Sequence, residues 1–345
     1  MMTVKRIAIK LAIITALIFL SLASFSFYFY HMVIERKPND PWSQNTRLTS
    51  ISMESNEVQT FPVMAMAISP ASTELADSGD FSPTEQTPPS WVESQPYEFW
   101  TVTSEDGLRL AGYYIPARIP TTRTVIIAHG YRSQALEMGE FAKFYSEKLG
   151  YNVLLPDARG YGTSEGDFIG FGWPDRKDYL LWIQETTEKV GPDAQITLHG
   201  LSMGGATVMM VSGESLPEQV KVIVEDSGYT SVQDELAYQL KRMYNLPAFP
   251  LLPAVSLFTD IKAGYNFSEA SSLRQVEKNQ TPMLFIHGAL DDFVPVEMAL
   301  QLYDACKAEK KLYLAENAVH GMAFYTDRPA YEAIVEDFIG LFMGH

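Results

Sequence analysis

From about residue 97 onward, the apolar positions of the chain fall into a repeating pattern. Glu98 to Thr103 and Leu108 to Ile115 alternate polar with apolar and flank Glu105-Asp106-Gly107, which predicts a hairpin. Six short apolar runs follow: Val125–Ala128, Val153–Leu155, Ile196–Leu198, Val220–Val224, Met283–Ile286 and Leu312–Leu314. Helical patterns follow them at Glu137–Leu149, Pro174–Val190, Met203–Ser212, Val296–Lys307 and Pro329–Phe342. Unbroken apolar strands alternating with helices predict an α/β fold: a mostly parallel sheet of about eight strands, covered on both faces. In such sheets chemistry collects at the carboxyl ends of the strands. The stretch 228–280 breaks the rhythm. It sets Pro247, Pro250 and Pro253 among aromatic and apolar residues between two strands, which predicts a small helical cap.

The first 95 residues follow other rules. Leu11 to Tyr30 is a 20-residue run without a formal charge, long enough to cross about 30 Å of hydrocarbon as a helix. Lys5, Arg6 and Lys10 precede it, and Phe25, Phe27, Tyr28, Phe29 and Tyr30 crowd its far end. Basic residues before the run and an aromatic belt after it predict a signal-anchor with residues 1–10 in the cytoplasm. The competing expectation is a signal peptide cleaved after Ser21-Leu22-Ala23, which would leave a secreted protein. Either way, the rest of the chain is expected outside the cytoplasmic membrane. Residues 31–95 are rich in Pro, Ser, Thr and Glu and predict a partly disordered spacer. The domain proper is expected over 96–345.

Charge and cysteine content narrow the function classes. The net charge is −16, yet residues 1–37 carry five basic residues and one acid. The remainder holds 21 basic and 41 acidic residues, a net of −20. Such a body is repelled by nucleic acid and by anionic lipid. Cys306 is the single cysteine, so no internal disulfide forms, and no Cys/His group has zinc spacing. Cys306 reads as a small packing residue.

Gly200-Leu201-Ser202-Met203-Gly204 matches G-x-S-x-G and lies between the strand at Ile196 and the helix at Met203. That strand–turn–helix setting is what a nucleophile elbow requires. A serine hydroxyl is a weak nucleophile at neutral pH and needs a base, itself oriented by an acid. Among six histidines, His31 borders the apolar run and His345 ends the chain. His129, His199 and His287 each end a strand and read as structural. His320 lies in a loop between the last strand and the last helix, where a base can reach Ser202. Three carboxylates keep the order serine, acid, histidine: Asp226, Asp291 and Asp292. For the oxyanion, the N–H of Met203 supplies one donor, and the N–H of Tyr131, in the loop after the third strand, supplies the second. Gly160-Tyr161-Gly162-Thr163-Ser164-Glu165 fails the dinucleotide fingerprint at its sixth position. No cofactor is expected, because a serine, a base and an acid suffice.

Four ordered pieces carry a family resemblance: His129-Gly130 with Asp157 to Ser164, the serine elbow, Gly288-x-x-Asp291-x-x-Val294-Pro295, and His320-Gly321. Together they resemble the α/β-hydrolase superfamily, over about Tyr97 to Phe342. Within it the chain is similar to membrane-anchored serine hydrolases of the Bem46-like group. The resemblance implies that Asp291 is the acid and His320 the base, and that the substrate is a small-molecule ester. A peptidase or amidase using the same residues is one alternative. A catalytically silent, membrane-tethered binding protein is another.

Overall fold

A computed structural model describes residues 2–37 and 90–344. Most of the expected spacer, residues 38–89, lies outside the described residues. Eight strands form one sheet: β1 (Glu98–Thr103), β2 (Arg109–Ile115), β3 (Arg123–Ala128), β4 (Asn152–Pro156), β5 (Gln195–Leu201), β6 (Val220–Asp226), β7 (Met283–Gly288) and β8 (Lys310–Ala315). Their order is β1-β2-β4-β3-β5-β6-β7-β8. The hairpin β1–β2 joins antiparallel to β4, and every later pairing is parallel.

Ten helices are described. These are α1 (Met2–Phe29), α2 (Gly139–Lys143), α3 (Asp175–Val190), α4 (Met203–Ser212), α5 (Val232–Tyr244), α6 (Leu251–Ala263), α7 (Ser272–Val276), α8 (Val296–Ala305), α9 (Ala323–Thr326) and α10 (Arg328–Ile339). Alternate strand residues point to opposite faces, so the continuous apolar runs feed two cores. Val125, Ile127, Val153, Leu155, Val222 and Val224 pack beneath α2 and α10. Ile126, Leu154, Leu198 and Ile223 pack beneath α3, α4 and α8. The cap is α5, α6 and α7, inserted between β6 and β7 where the strand rhythm lapsed.

Two boundaries differ from the sequence pattern. The expected helix 137–149 is a 3-10 turn at Ala135–Met138, then α2, then a π turn at Phe144–Lys148. An ordinary helix points successive side chains about 100° apart, yet Phe144 and Tyr145 are both buried here. The second difference concerns residues 31–37, expected as the start of the spacer. They are packed on the body of the domain. Ile34 is fully buried, its carbonyl accepts from the Ile169 N–H at 2.7 Å, and Glu35 bridges Phe168. The Arg36 guanidinium donates to the carbonyls of Ser164 (2.6 Å) and Gly162 (3.0 Å). Phe29, Tyr30 and Ile34 share a third core with Tyr161, Phe171 and Met203 of the body and Leu252 and Val255 of the cap.

Removing that segment should therefore unfold a part of the core. Burial of an aromatic or Ile side chain contributes about 1.5–3 kcal/mol, and 1 kcal/mol shifts Tm by about 2–4 °C in a domain of this size. In one mild detergent, a chain starting at Ser94 should melt about 10 °C or more below one starting at Ser24. Equal melting temperatures would show that the docked segment is ornamental.

The cap also buries a carboxyl. Glu235 on α5 is 8% exposed; its Oε1 accepts from Gln239 at 2.7 Å, while Oε2 has no hydrogen-bond partner among the described residues. Burial pushes its pKa up to about 8. The folded state then holds a proton that the unfolded chain releases, so stability is present at acid pH and lost as pH rises through about 8. The Tm should fall between pH 5 and pH 8.5, and Glu235→Gln should reduce that fall by a few degrees. An unchanged slope in the variant would contradict the burial of this charge.

Candidate active site

Ser202 sits between β5 and α4 with φ +57° and ψ −114°, a left-handed backbone rarely adopted outside glycine. Its N–H donates to the Asp226 carbonyl at 2.7 Å. Two neighbours make the turn possible. A Cβ on Gly200 would lie 2.0 Å from the Gly204 carbonyl oxygen, and one on Gly204 would lie 2.0 Å from that of Ala128. The turn lifts the Ser202 hydroxyl clear of the sheet and sets it at the N-terminus of α4, where the helix dipole favours negative charge.

The Ser202 Oγ lies 2.8 Å from His320 Nε2, and His320 Nδ1 lies 2.7 Å from Asp291 Oδ2. A carboxylate only accepts, so the imidazole proton sits on Nδ1 and Nε2 keeps a lone pair for the serine hydroxyl. Asp291 is well held. Its Oδ1 accepts from the N–H groups of Phe293 (2.9 Å) and Val294 (2.8 Å). His287 Nε2 donates to the Val294 carbonyl at 2.9 Å and also lies 3.3 Å from Asp291 Oδ2. Burial alone would raise the Asp291 pKa, but the hydrogen bonds from His287 and His320 outweigh it and hold the carboxyl well below the usual range. His320 is 19% exposed at its side chain, with the Phe293 ring 4.9 Å away.

The other two carboxylates are placed elsewhere. Asp292 is exposed and pairs with Arg242 at 3.1 Å. Asp226 is buried; it accepts from Tyr331 OH at 2.9 Å and from Ser227 Oγ at 2.8 Å. Burial raises its pKa despite those bonds.

The remaining histidines shape the fold. His129 Nε2 accepts from the Ala158 N–H at 3.0 Å, so Nδ1 carries the proton and donates to the Gly130 carbonyl at 2.9 Å. His199 lies between Tyr145 OH (2.9 Å) and Tyr331 OH (3.2 Å), and burial lowers its pKa to about 3. The run from Asp157 to Ser164 orders a loop. Asp157 accepts from the N–H groups of Ala135 (3.0 Å) and Thr163 (2.9 Å), and buried Arg159 pairs with Asp178 at 2.7 Å.

The loop after β3 comes close to Ser202. A Cβ on Gly130 would come within 3.6 Å of the Ser202 Cβ, so Gly130-Tyr131 lies against Ser202 across from Met203. The Tyr131 ring stacks on Phe171 at 5.3 Å, and its hydroxyl donates to the Val33 carbonyl at 2.9 Å. Sequence reasoning missed two participants. His287 carries a weak signal, since it stands at the end of β7 just before the turn that bears Asp291, but strand-end histidines are common structural residues. Val33 was not legible: a backbone carbonyl has no side chain to mark it.

The fold has counterparts among known proteins. Residues 140–343 match the prolyl oligopeptidase family. The chain is 31% identical over 240 residues to YqkD of Bacillus subtilis, covering 70% of this chain and 78% of that one. It is 24% identical over 251 residues to the protein bem46 of Schizosaccharomyces pombe, covering 70% and 76%. An esterase of Pyrococcus furiosus superposes with a TM-score of 0.60 at 23% identity, over 78% of this chain and 97% of that one. That likeness shows the fold. The elbow, the sheet order and these relatives together make the chain a member of the prolyl oligopeptidase family of α/β-hydrolases, in its Bem46-like group.

Proposed function

We propose that the protein is a serine hydrolase that cleaves a carboxylic ester through an acyl-enzyme, held at the membrane by α1 with its body on the extracytoplasmic side. The observation that carries this reading is the unbroken series Asp291–His320–Ser202, at 2.7 and 2.8 Å. As Ser202 Oγ attacks the carbonyl carbon, its proton passes to His320 Nε2. The Asp291 carboxylate holds the imidazolium through Nδ1. The N–H groups of Met203 and Tyr131 receive the alkoxide. On collapse, the bond to the alcohol oxygen breaks, and His320 returns the proton to the leaving alcohol. Water, deprotonated by His320, then releases the acid and restores Ser202.

The anchor reading rests on α1, whose residues 5–21 are exposed throughout and which is long and apolar enough to span a bilayer. Cleavage after Ala23 would release the body yet leave Phe29, Tyr30 and Ile34 in place. An amidase or peptidase is the second reading, favoured by the family match and by the fold likeness to an acylaminoacyl peptidase of Pyrococcus horikoshii, at TM-score 0.53 and 20% identity over 71% of this chain and 41% of that one. It needs an anchor for a peptide terminus, and the sequence offers no identifiable one.

The full chain in detergent should hydrolyse short aryl esters much faster than the matching aryl anilides, with Ser202→Ala as the inactive baseline. Losing the true acid can cost about 10⁴ in rate, because the imidazole tautomer is no longer fixed. Asp291→Asn should fall by several orders of magnitude, whereas Asp292→Asn should stay within about twofold of the parent. A larger loss in folded Asp226→Asn than in Asp291→Asn would overturn the assignment. Faster anilide cleavage would favour the peptidase reading.

A further inference from the structure

The cap helix α6 is apolar on more sides than a soluble cap requires. Its inner face, Leu252, Val255 and Thr259, is buried in the cap core. A second side meets the anchor: the Phe258 ring lies 5.4 Å from Tyr30 and 6.4 Å from Phe27 of the chain that leaves α1. A third side, Pro253, Leu257 and Ile261, recurs every four residues and is exposed. Leu257 is 63% and Ile261 74% exposed, and Phe249 just before the helix is 79% exposed. The only charges on α6 are Asp260 and Lys262, both in its last turn. Elsewhere on the body, large exposed apolar residues such as Ile119, Leu290 and Val319 lie in loops and turns, not along one face of a helix. A helix apolar all round is one buried in protein or in lipid.

The level of α6 relative to a bilayer follows from α1. Lys10 is the last charge before the apolar run and Glu35 the first acid after it. A hydrocarbon layer of about 30 Å takes about 20 helical residues, which assigns it Leu11–Tyr30. Phe27 then stands about 4.5 Å, and Tyr30 about 0 Å, inside the boundary at 1.5 Å per residue. Phe258 touches both. Leu257 and Ile261 are within one turn of Phe258, about 5 Å along the helix, so any tilt leaves them near that boundary.

We propose that α6 is an interfacial membrane helix: Phe249, Leu257 and Ile261 lie in the acyl region of the leaflet from which α1 emerges, beside α1 itself. The occupant of the exposed face is lipid, by continuity with the span, and the proposal rests on the reading of α1 as a membrane helix. An acidic body gains nothing from anionic headgroups, so apolar contact has to hold this face down. The arrangement has a consequence for the site. Val33, three residues beyond Tyr30, accepts the Tyr131 hydroxyl, and Tyr131 follows Gly130, which lies against Ser202. Ser202 is thus linked through the Gly130-Tyr131 loop to the chain's exit from the bilayer, suited to an ester carried by an amphiphile in that leaflet.

The test uses the full chain reconstituted in phosphatidylcholine vesicles. Cys306 is buried and is replaced by serine, so a single cysteine can carry an environment-sensitive fluorophore. Labels at Leu257→Cys and Ile261→Cys are compared with Leu17→Cys within the span and with Glu188→Cys on α3. Lipids spin-labelled at acyl carbons 5 and 12 serve as quenchers. The expected result is at least twofold stronger quenching at 257 and 261 than at 188, strongest with the carbon-5 label, together with strong quenching at 17. Quenching at 17 with 257 and 261 no different from 188 would overturn the proposal and leave the anchor standing. No quenching at any position would overturn both.

Discussion

Ser202 can hold its left-handed backbone only because neither Gly200 nor Gly204 carries a Cβ, each of which would drive 2.0 Å from a carbonyl oxygen. That constraint sets the rest of the molecule. It fixes β5 next to β3 and β6, because the elbow needs Ala128 on one side and Asp226 on the other. It also leaves the Ser202 hydroxyl on the side of the sheet reached by the loops after β7 and β8, which bring Asp291 and His320. A side chain at Gly200 would push β5 from α4, and one at Gly204 would push α4 from β3, and either would disturb the alignment of Ser202 with His320.

Polar groups around this turn are arranged to keep one histidine ready. Asp291 takes two backbone N–H groups on one oxygen and two imidazoles on the other, so it remains an acceptor and His320 keeps its proton on Nδ1. His129 and His199, equally close to strand ends, are fixed by their own partners and buried in forms that do not gain a second proton readily. The strand-end histidines His129, His199 and His287 thus have different partners, decided by what surrounds each ring.

Much of this was legible in the chain. Six unbroken apolar runs marked the parallel strands, and Met203–Ser212 was bounded correctly because Gly200-x-Ser202-x-Gly204 fixes where the helix must start. His320 stood out because its loop follows the last strand. The acid was harder: Asp226, Asp291 and Asp292 share the right order along the chain, and the family resemblance alone points to Asp291, the one of the three that lies 2.7 Å from His320. The role of residues 29–36 was hidden for a different reason. Their partners are the Ser164 carbonyl, the Ile169 N–H and the Tyr131 hydroxyl, 98 or more residues away, and pairing at such separation leaves no periodic trace. Composition marked the following stretch as a spacer, and the boundary was drawn a few residues too early.

The central claim is that Ser202, activated by His320, is the nucleophile. A fluorophosphonate reports this directly, because it phosphorylates only a serine whose hydroxyl can be deprotonated in place. After reaction of the full chain, mass spectrometry of the digested protein should find one adduct per chain, on the peptide that carries Ser202. The same adduct should form at least a hundredfold more slowly in folded His320→Ala. An adduct on another residue, or equal labelling rates in parent and His320→Ala, would contradict the account.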